Sequence, residues 1–333
     1  MYTTALWVLP LFLQFHQEGL GTLKLMKGSQ PKVAVLLAAY NGLSWLPDQV
    51  ATILNQRGVS VLLFVSVDRS NDGTEEWFDR LAAKDSRVKV LPHGRKFGGA
   101  AKNFFRLISE AELGDCEYVS FADQDDLWSE TKLARAAHIL NENHCDGYSS
   151  NVTAFWPDGR RQLVHKAQAQ KCWDYLFEAA GPGCSYVLRR SLLKLICEKI
   201  LTDNELVNDI YLHDWFCYAF ARSRNIKWFI DPEPSLSYRQ HESNQIGVNK
   251  GFKAISGRLS QFMDGFWLEQ GVLIARVVGV SDTPFVRKWQ SLEALGLIKL
   301  AFSARACRRR ALDQMAFFVF CLMIAIKKGF IRD

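Results

Sequence analysis

Residues Lys32 to Ala39 (KVAVLLAA) and Val59 to Val67 (VSVLLFVSV) are two nearly unbroken runs of apolar, β-prone residues. A strand of this kind has no face to give to solvent and must be covered on both sides, as inside a parallel sheet. Each run ends abruptly in polar residues, Tyr40-Asn41-Gly42 after the first and Asp68-Arg69-Ser70-Asn71-Asp72-Gly73-Thr74 after the second. Between them, Trp45 to Gln56 has helical spacing, with Leu46, Val50, Ile53 and Leu54 on one side. The rhythm continues with a helix from Thr74 to about Ala83 and a short strand at Val88 to Leu91. A helix over Ala100 to Glu112, opened by Gly98-Gly99, and a fourth strand at Tyr118 to Ala122 complete it. This alternation predicts an α/β fold, a mostly parallel central sheet with helices on both faces.

Ligands of such sheets bind at the carboxyl ends of the strands. Here those ends carry Tyr40, Asp68 and the cluster Asp123-Gln124-Asp125-Asp126, and all three point to one crevice. Three acidic groups in four positions repel one another, and the repulsion is relieved by a divalent cation or by protonation. The competing reading is a solvated acidic turn capping a helix that begins near Ser129. No GxxxxGK[ST] and no GxGxxG is present, which disfavours a P-loop ATPase and a standard dinucleotide fold.

Beyond Asp146 the pattern is mixed. Short strands are expected around Tyr148 to Phe155 and Ser185 to Leu188, helices at Leu192 to Ile200 and Asp209 to Ala221, and a strand at Ile226 to Ile230. Residues 250–333 look mainly helical, so the expected division is an extension over 1–31, a catalytic unit over 32–249 and a helical region over 250–333. The apolar stretch Ala5 to Phe15 is too short to span a bilayer. Residues 1–25 read equally as an extension or as a start misplaced ahead of Met26.

The chain has 333 residues and a formal charge of +6, and residues 305–333 hold seven basic and two acidic residues, a net +5. The basic excess therefore belongs to the tail and is not spread over a face with interleaved aromatics, so nucleic acid is not an expected partner. The eight cysteines form no CxxC pair and no zinc-like spacing with histidine, and read as reduced, mostly buried thiols.

Taken in order, several segments resemble glycosyltransferase family 2, most closely its bacterial rhamnosyltransferase-like members. They are Ala38-Ala39-Tyr40-Asn41-Gly42, Ser66-Val67-Asp68-Arg69-Ser70-Asn71-Asp72-Gly73-Thr74, Gly98-Gly99-Ala100-Ala101-Lys102-Asn103, Ala122-Asp123-Gln124-Asp125-Asp126-Leu127-Trp128, His213-Asp214-Trp215 and Tyr238-Arg239-Gln240-His241-Glu242-Ser243-Asn244. The match runs from about Val33 to Gly247. It implies a GT-A type fold and an inverting transfer from a nucleotide-diphospho-sugar, dTDP-L-rhamnose for these members, to a hydroxyl of a lipid-linked or polysaccharide acceptor.

Carried over position by position, the resemblance implies that Tyr40 stacks on the nucleobase, Asn41 lies beside it and Asp68 accepts from the base imide. Asp123 holds the ribose or the metal shell, and Asp125 coordinates Mg²⁺ or Mn²⁺ on the diphosphate. Lys102, near a helix start, adds positive charge beside the nucleotide. His241 is a third metal ligand or a donor to the leaving group. Asp214 sits in an apolar stretch that raises a carboxylate's proton affinity, which suits a general base. Gly183 and Cys184, in a small-residue segment, face the acceptor, and Trp215 walls the sugar pocket. One departure stands out: the family commonly has Ser-Asp-Asp-Gly-Ser where this chain has Ser66-Val67-Asp68-Arg69-Ser70. Arg69 takes positive φ less readily than glycine, so the loop is expected to differ.

The tail segment Ala311 to Ile326 is apolar apart from Asp313 and Gln314 and is bracketed by Arg308-Arg309-Arg310 and Lys327-Lys328. Its longest uninterrupted apolar piece, Met315 to Ile326, is too short to span. It reads as a helix in a membrane interface or, equally, as a helix docked on the protein. The expected location is cytoplasmic, at most peripheral at the inner face of the plasma membrane. Two other function classes are carried forward: a nucleotidyltransferase that makes the activated sugar, and a sugar-nucleotide-binding membrane adaptor without turnover.

Overall fold

The computed structural model describes residues 30–241 and 265–330. The expected extension over residues 1–31 lies almost wholly outside the described residues, as does the boundary expected at residue 249.

The four expected strands form as β1 (Lys32–Ala39), β2 (Ser60–Val67), β3 (Val88–Val90) and β4 (Tyr118–Ala122), separated by α1 (Leu46–Leu54), α2 (Thr74–Lys84) and α3 (Ala100–Glu110). A two-residue β5 (Leu127–Trp128) and α4 (Lys132–Glu142) lead into β6 (Gly147–Ser150), β7 (Val152–Phe155), β8 (Arg161–Val164) and β9 (Val187–Arg189). Then follow α5 (Arg190–Thr202), α6 (Asn204–Val207), α7 (His213–Ser223), β10 (Trp228–Asp231) and β11 (Leu236–Arg239). The carboxyl-terminal part contributes α8 (Phe266–Val277), α9 (Ala294–Phe302), α10 (Ala304–Cys307) and α11 (Ala311–Phe330).

The central sheet has seven strands in the order β10-β6-β9-β4-β1-β2-β3, parallel except for β9, which runs antiparallel to β4 and β6. The pleat explains why β1 is apolar at consecutive positions: Val33, Val35 and Leu37 face one core, and Ala34 and Leu36 face the other. The first core is closed by α1, α2 and α4, and the second by α3, α5 and α7 together with α8 to α11. The carboxyl-terminal helices therefore complete the same core as the sheet. A second sheet, β5-β11-β7-β8, was not expected from the sequence. It lies just beyond the acidic cluster and brings residues near 239 back to residues near 126.

Two local expectations are corrected. The helix expected from Asp209 begins at His213, because Asn208 to Leu212 form a break after α6. Helix α4 begins at Lys132 after Thr131, so Ser129 is not its cap; its N–H instead donates to the Ser235 carbonyl. Arg69 does not adopt positive φ, and its N–H closes onto Asp68 Oδ1 at 2.8 Å, so the loop forms without the glycine. All eight cysteines are free.

Candidate active site

The first strand end is built around an exposed aromatic ring. Tyr40 is 57% exposed where β1 stops. Its backbone is clamped by the Gln124 side chain, which accepts from Tyr40 N–H at 2.7 Å and donates to Tyr40 O at 2.9 Å. Gly42 makes room for this clamp, since a Cβ there would lie 2.3 Å from Gln124 Oε1. Asn41 adopts φ 46° and accepts the Asn71 N–H on its side chain at 2.9 Å, tying the first loop to the second.

Asp68 is buried, and its carboxylate accepts three backbone N–H groups: Arg69 and Phe97 on Oδ1, and Gly98 on Oδ2 at 2.9 Å. It thus fixes the Gly98-Gly99 turn that opens α3. Lys102 lies exposed in the first turn of that helix. Asn103, one residue on, is buried and donates to Ser66 O at 3.0 Å, supporting the end of β2.

The acidic cluster divides its labour. Asp126 is completely buried, and its Oδ1 accepts the Arg239 N–H at 3.1 Å, while Arg239 Nε donates to the Asp125 carbonyl at 2.8 Å. Those two bonds bring β11 back over the cluster, where His241 Nε2 meets Asp125 Oδ2 at 2.6 Å and the imidazole stacks on Trp45 at 4.3 Å. Burial, then the Asp125 and Asp214 charges, push the Asp123 carboxyl up to about 7. Burial also raises Asp126 well above the ordinary range, and its Oδ2 has no hydrogen-bond partner. Lys132, buried beneath the cluster, donates to Ser120 Oγ at 2.9 Å, lies 3.5 Å over the Trp128 ring and is brought down to about 7 by burial.

Asp214 occupies the first turn of α7, where burial pushes its carboxyl up to about 6 against the opposing pull of the Trp215 and Gly183 N–H groups and the Lys166 cation. Gly183 permits this approach: a Cβ there would lie 2.6 Å from His213 Nε2 and 3.2 Å from Asp214 Cβ. His213 is buried against Phe104 at 3.8 Å and is held neutral, its pKa lowered to about 3 by burial.

Tyr40, Asn41, Asp68, Asp123, Asp125, Asp214, Gly183 and His241 thus gather at the carboxyl ends of β1, β2 and β4 and the loops over them. Two expected pocket residues are buried rather than open to the crevice. Trp215 is only 3% exposed, and its indole N–H donates to the Tyr175 carbonyl at 2.8 Å, so it supports α7 from the core. Cys184 is fully buried under the cluster, its Sγ within 4.8 Å of oxygens of Asp123 and Asp126. Burial holds that thiol well above the ordinary range. Among the described residues, the three ligating side chains whose atoms lie within 4.8 Å of one another are Asp123, Asp126 and Cys184, whereas the expected ligand Asp125 meets His241 beside them; the carboxylate oxygens suit a hard divalent ion such as Mg²⁺ or Mn²⁺. The orphaned Asp126 oxygen and the raised Asp123 mark a cluster short of positive charge. Gln124, Asp126, Arg239, Trp45 and Lys166 were not anticipated as site residues. Gln124, Asp126 and Arg239 lay inside motifs already in view, whereas Trp45 and Lys166 lay outside them.

Residues 34–195 match the family described as glycosyl transferase family 2. The dTDP-rhamnosyl transferase RfbG of Shigella flexneri is 40% identical over 280 residues, covering 84% of this chain and 96% of that protein. The UDP-Glc:alpha-D-GlcNAc-diphosphoundecaprenol beta-1,3-glucosyltransferase WfgD of Escherichia coli is 27% identical over 165 residues, 48% of this chain and 61% of that protein. Among solved structures, S. aureus TarS 1–349 in complex with UDP superposes with a TM-score of 0.53 at 16% identity, covering 91% of this chain and 92% of that one. GalNAc-T7 with UDP, GalNAc and Mn²⁺ gives 0.51 at 12% identity over 78% of this chain and 54% of that one. The fold is of the GT-A type. With this arrangement of strand ends and a relative similar over nearly its whole length, the chain belongs to glycosyltransferase family 2.

Proposed function

We propose that the chain transfers L-rhamnose from dTDP-L-rhamnose, with inversion, to a hydroxyl of a lipid-linked or polysaccharide acceptor. The donor is suggested by the RfbG relative, and the mechanism rests on one observation: Asp214 is a half-buried carboxylate in the first turn of a helix, its pKa raised to about 6, sharing a crevice with Asp123. At neutral pH it is ionised yet more basic than an exposed aspartate, the condition for accepting a proton from an attacking hydroxyl.

Tyr40 offers its exposed ring to the base, and Asp68, with Asn41, frames the loop that receives it. Asp68 keeps lone-pair capacity for a base N–H beyond its three backbone bonds. Asp123 takes the ribose side and Lys102 lends charge to the nucleotide. Asp125 and His241 would hold a divalent ion, which when bound would neutralise charge on the departing diphosphate. The acceptor hydroxyl attacks the anomeric carbon on the face opposite the diphosphate. Asp214 takes its proton as the carbon–oxygen bond to the diphosphate breaks. Gly183 lets the turn pack close against Asp214 and so sets where that carboxylate stands, and buried Trp215 and Cys184 act behind that surface.

The test is incubation with dTDP-L-rhamnose, Mg²⁺ or Mn²⁺ and a soluble lipid-linked saccharide mimic, read by product mass. A product heavier by one deoxyhexosyl residue, with the anomeric configuration inverted, is expected. Turnover of another sugar nucleotide in its place would overturn the donor, and retained configuration would overturn the role of Asp214.

A further inference from the structure

Helix α11 is apolar on every side. Its inner face, Phe317, Cys321, Ile324 and Ala325, is buried in the core, which accounts for half of that pattern. The outer face is not accounted for. Leu312, Met315, Val319, Met323 and Ile326 form a stripe at helical spacing and are 56, 61, 48, 43 and 58% exposed. Helix α9 packs along α11 and extends the patch with Leu295, Ile298 and Phe302, the last 76% exposed and in edge contact with Phe318 at 5.4 Å. A helix apolar all round normally has all of its surface covered, and a monomer's largest exposed apolar patch is typically only about 300–600 Å² and often functional.

Cations surround this face. Arg287, Lys288, Lys299, Arg305, Arg310 and Lys327 are all exposed, and between residues 284 and 330 the chain has nine basic residues against two acidic ones. Beside Leu295, a cleft of about 500 Å³ is lined by Arg287, Lys288 and Lys299, with Glu293 as its one acidic residue. No helix among the described residues is long and apolar enough to cross a membrane.

We propose that the α9–α11 face docks on an anionic phospholipid bilayer, the apolar stripe entering the acyl boundary and the surrounding cations meeting headgroup phosphates. Charge selects this occupant over a second copy of the chain. A twofold interface would press the cationic rim against its own copy, whereas an anionic bilayer complements it. Contacts also tie the start of this helix to the segment that leads into the site. Arg309, at the start of α11, donates to Ala179 O at 2.6 Å and pairs with Asp174 at 3.2 Å, just ahead of the Gly181–Gly183 turn beside Asp214. The inference goes beyond the proposed transfer reaction and does not depend on it.

The test is sedimentation of the full chain with vesicles of phosphatidylcholine with and without phosphatidylglycerol, at low and high salt. Binding only to the anionic vesicles, weakening steeply with salt, is expected. The outward triple Met315→Gln, Val319→Gln, Met323→Gln should reduce partitioning by about tenfold or more. The triple Arg287→Glu, Lys288→Glu, Lys299→Glu should reduce it on the order of 100-fold. Both variants should melt as wild type does and still act on a soluble acceptor. Absence of binding to anionic vesicles at low salt, or binding indifferent to both triples, overturns the proposal. So does a dimer seen by light scattering that the glutamine triple dissociates in a chain without vesicle affinity, which would give the face to a second copy. A wild-type chain that binds vesicles but transfers no sugar leaves this inference standing and fails the proposed function alone.

Discussion

Asp214 holds its proton to about pH 6 because burial penalises its charge more than the helix start and Lys166 relieve it. A base works only when ionised, so turnover should climb as pH rises through the range of about 6 to 7 in which Asp214 and the neighbouring Asp123 ionise, and fall away below it. Asp214→Asn should keep the fold and donor affinity while turnover drops on the order of 100-fold or more. An unchanged acidic limb in a residually active Asn variant would assign the base elsewhere. Asp125 makes a different demand. Asp125→Ala removes the carboxylate that meets His241 at 2.6 Å, and calorimetry should then find dTDP binding no longer strengthened by Mg²⁺ or Mn²⁺. Undiminished metal-dependent binding would transfer that role to Asp123 or Asp126.

At the scale of elements, the short turn Gly183–Ser185 and the start of α7 approach so closely that the missing Cβ of Gly183 is a spacing device. Gly183→Ala should push His213 and Asp214 aside. The expected result is a loss of activity out of proportion to a stability cost of about 1–3 kcal/mol, measured by urea unfolding beside initial rates. Near-normal rates would mean that α7 shifts without cost. This contact was not legible in the sequence, which offers Gly183 only as a small residue 31 positions before Asp214. By contrast β1, β2 and β4 were legible because burial on both faces leaves a continuous apolar run, and the polar break after each run marks the crevice. A strand at Ser185 to Leu188 was legible and forms as β9, but its antiparallel direction and the second sheet were not, since two- to four-residue strands carry too little periodicity to reveal direction or partner. The Asp125–His241 contact spans 116 residues and depends on Arg239 bonding back to Asp125 and Asp126, a pairing that no local pattern encodes. Trp215 misled for a related reason: a motif fixes its position on α7 but not which side of the helix faces the core.

At the scale of the whole molecule, the basic tail is less a tail than the closing wall of the second core. Arg309 is buried and pairs with Asp174 at 3.2 Å and Glu178 at 3.3 Å, so part of the cationic bracket ahead of α11 is spent inside the protein. The docked alternative of the sequence reading therefore describes the inner face of α11, while its outer face remains open to a surface. A prediction separates these two roles. Arg309→Ala leaves Asp174 sharing only Arg222 and Tyr218, with Glu178 largely buried beside it, and breaking such a pair typically costs about 3–5 kcal/mol. The variant should melt well below wild type, and ending the chain at Phe302 should be worse, since Cys307, Phe317, Cys321 and Ile324 are stripped from the core as well. Aggregation or loss of a cooperative thermal transition in the truncated chain is the expected outcome, whereas the outward glutamine substitutions should leave the transition in place. A truncated chain that stays monomeric and melts with the full-length protein would show that α11 only rests on the catalytic core, and the contacts tying the start of this helix to the segment that leads into the site would then carry no stability.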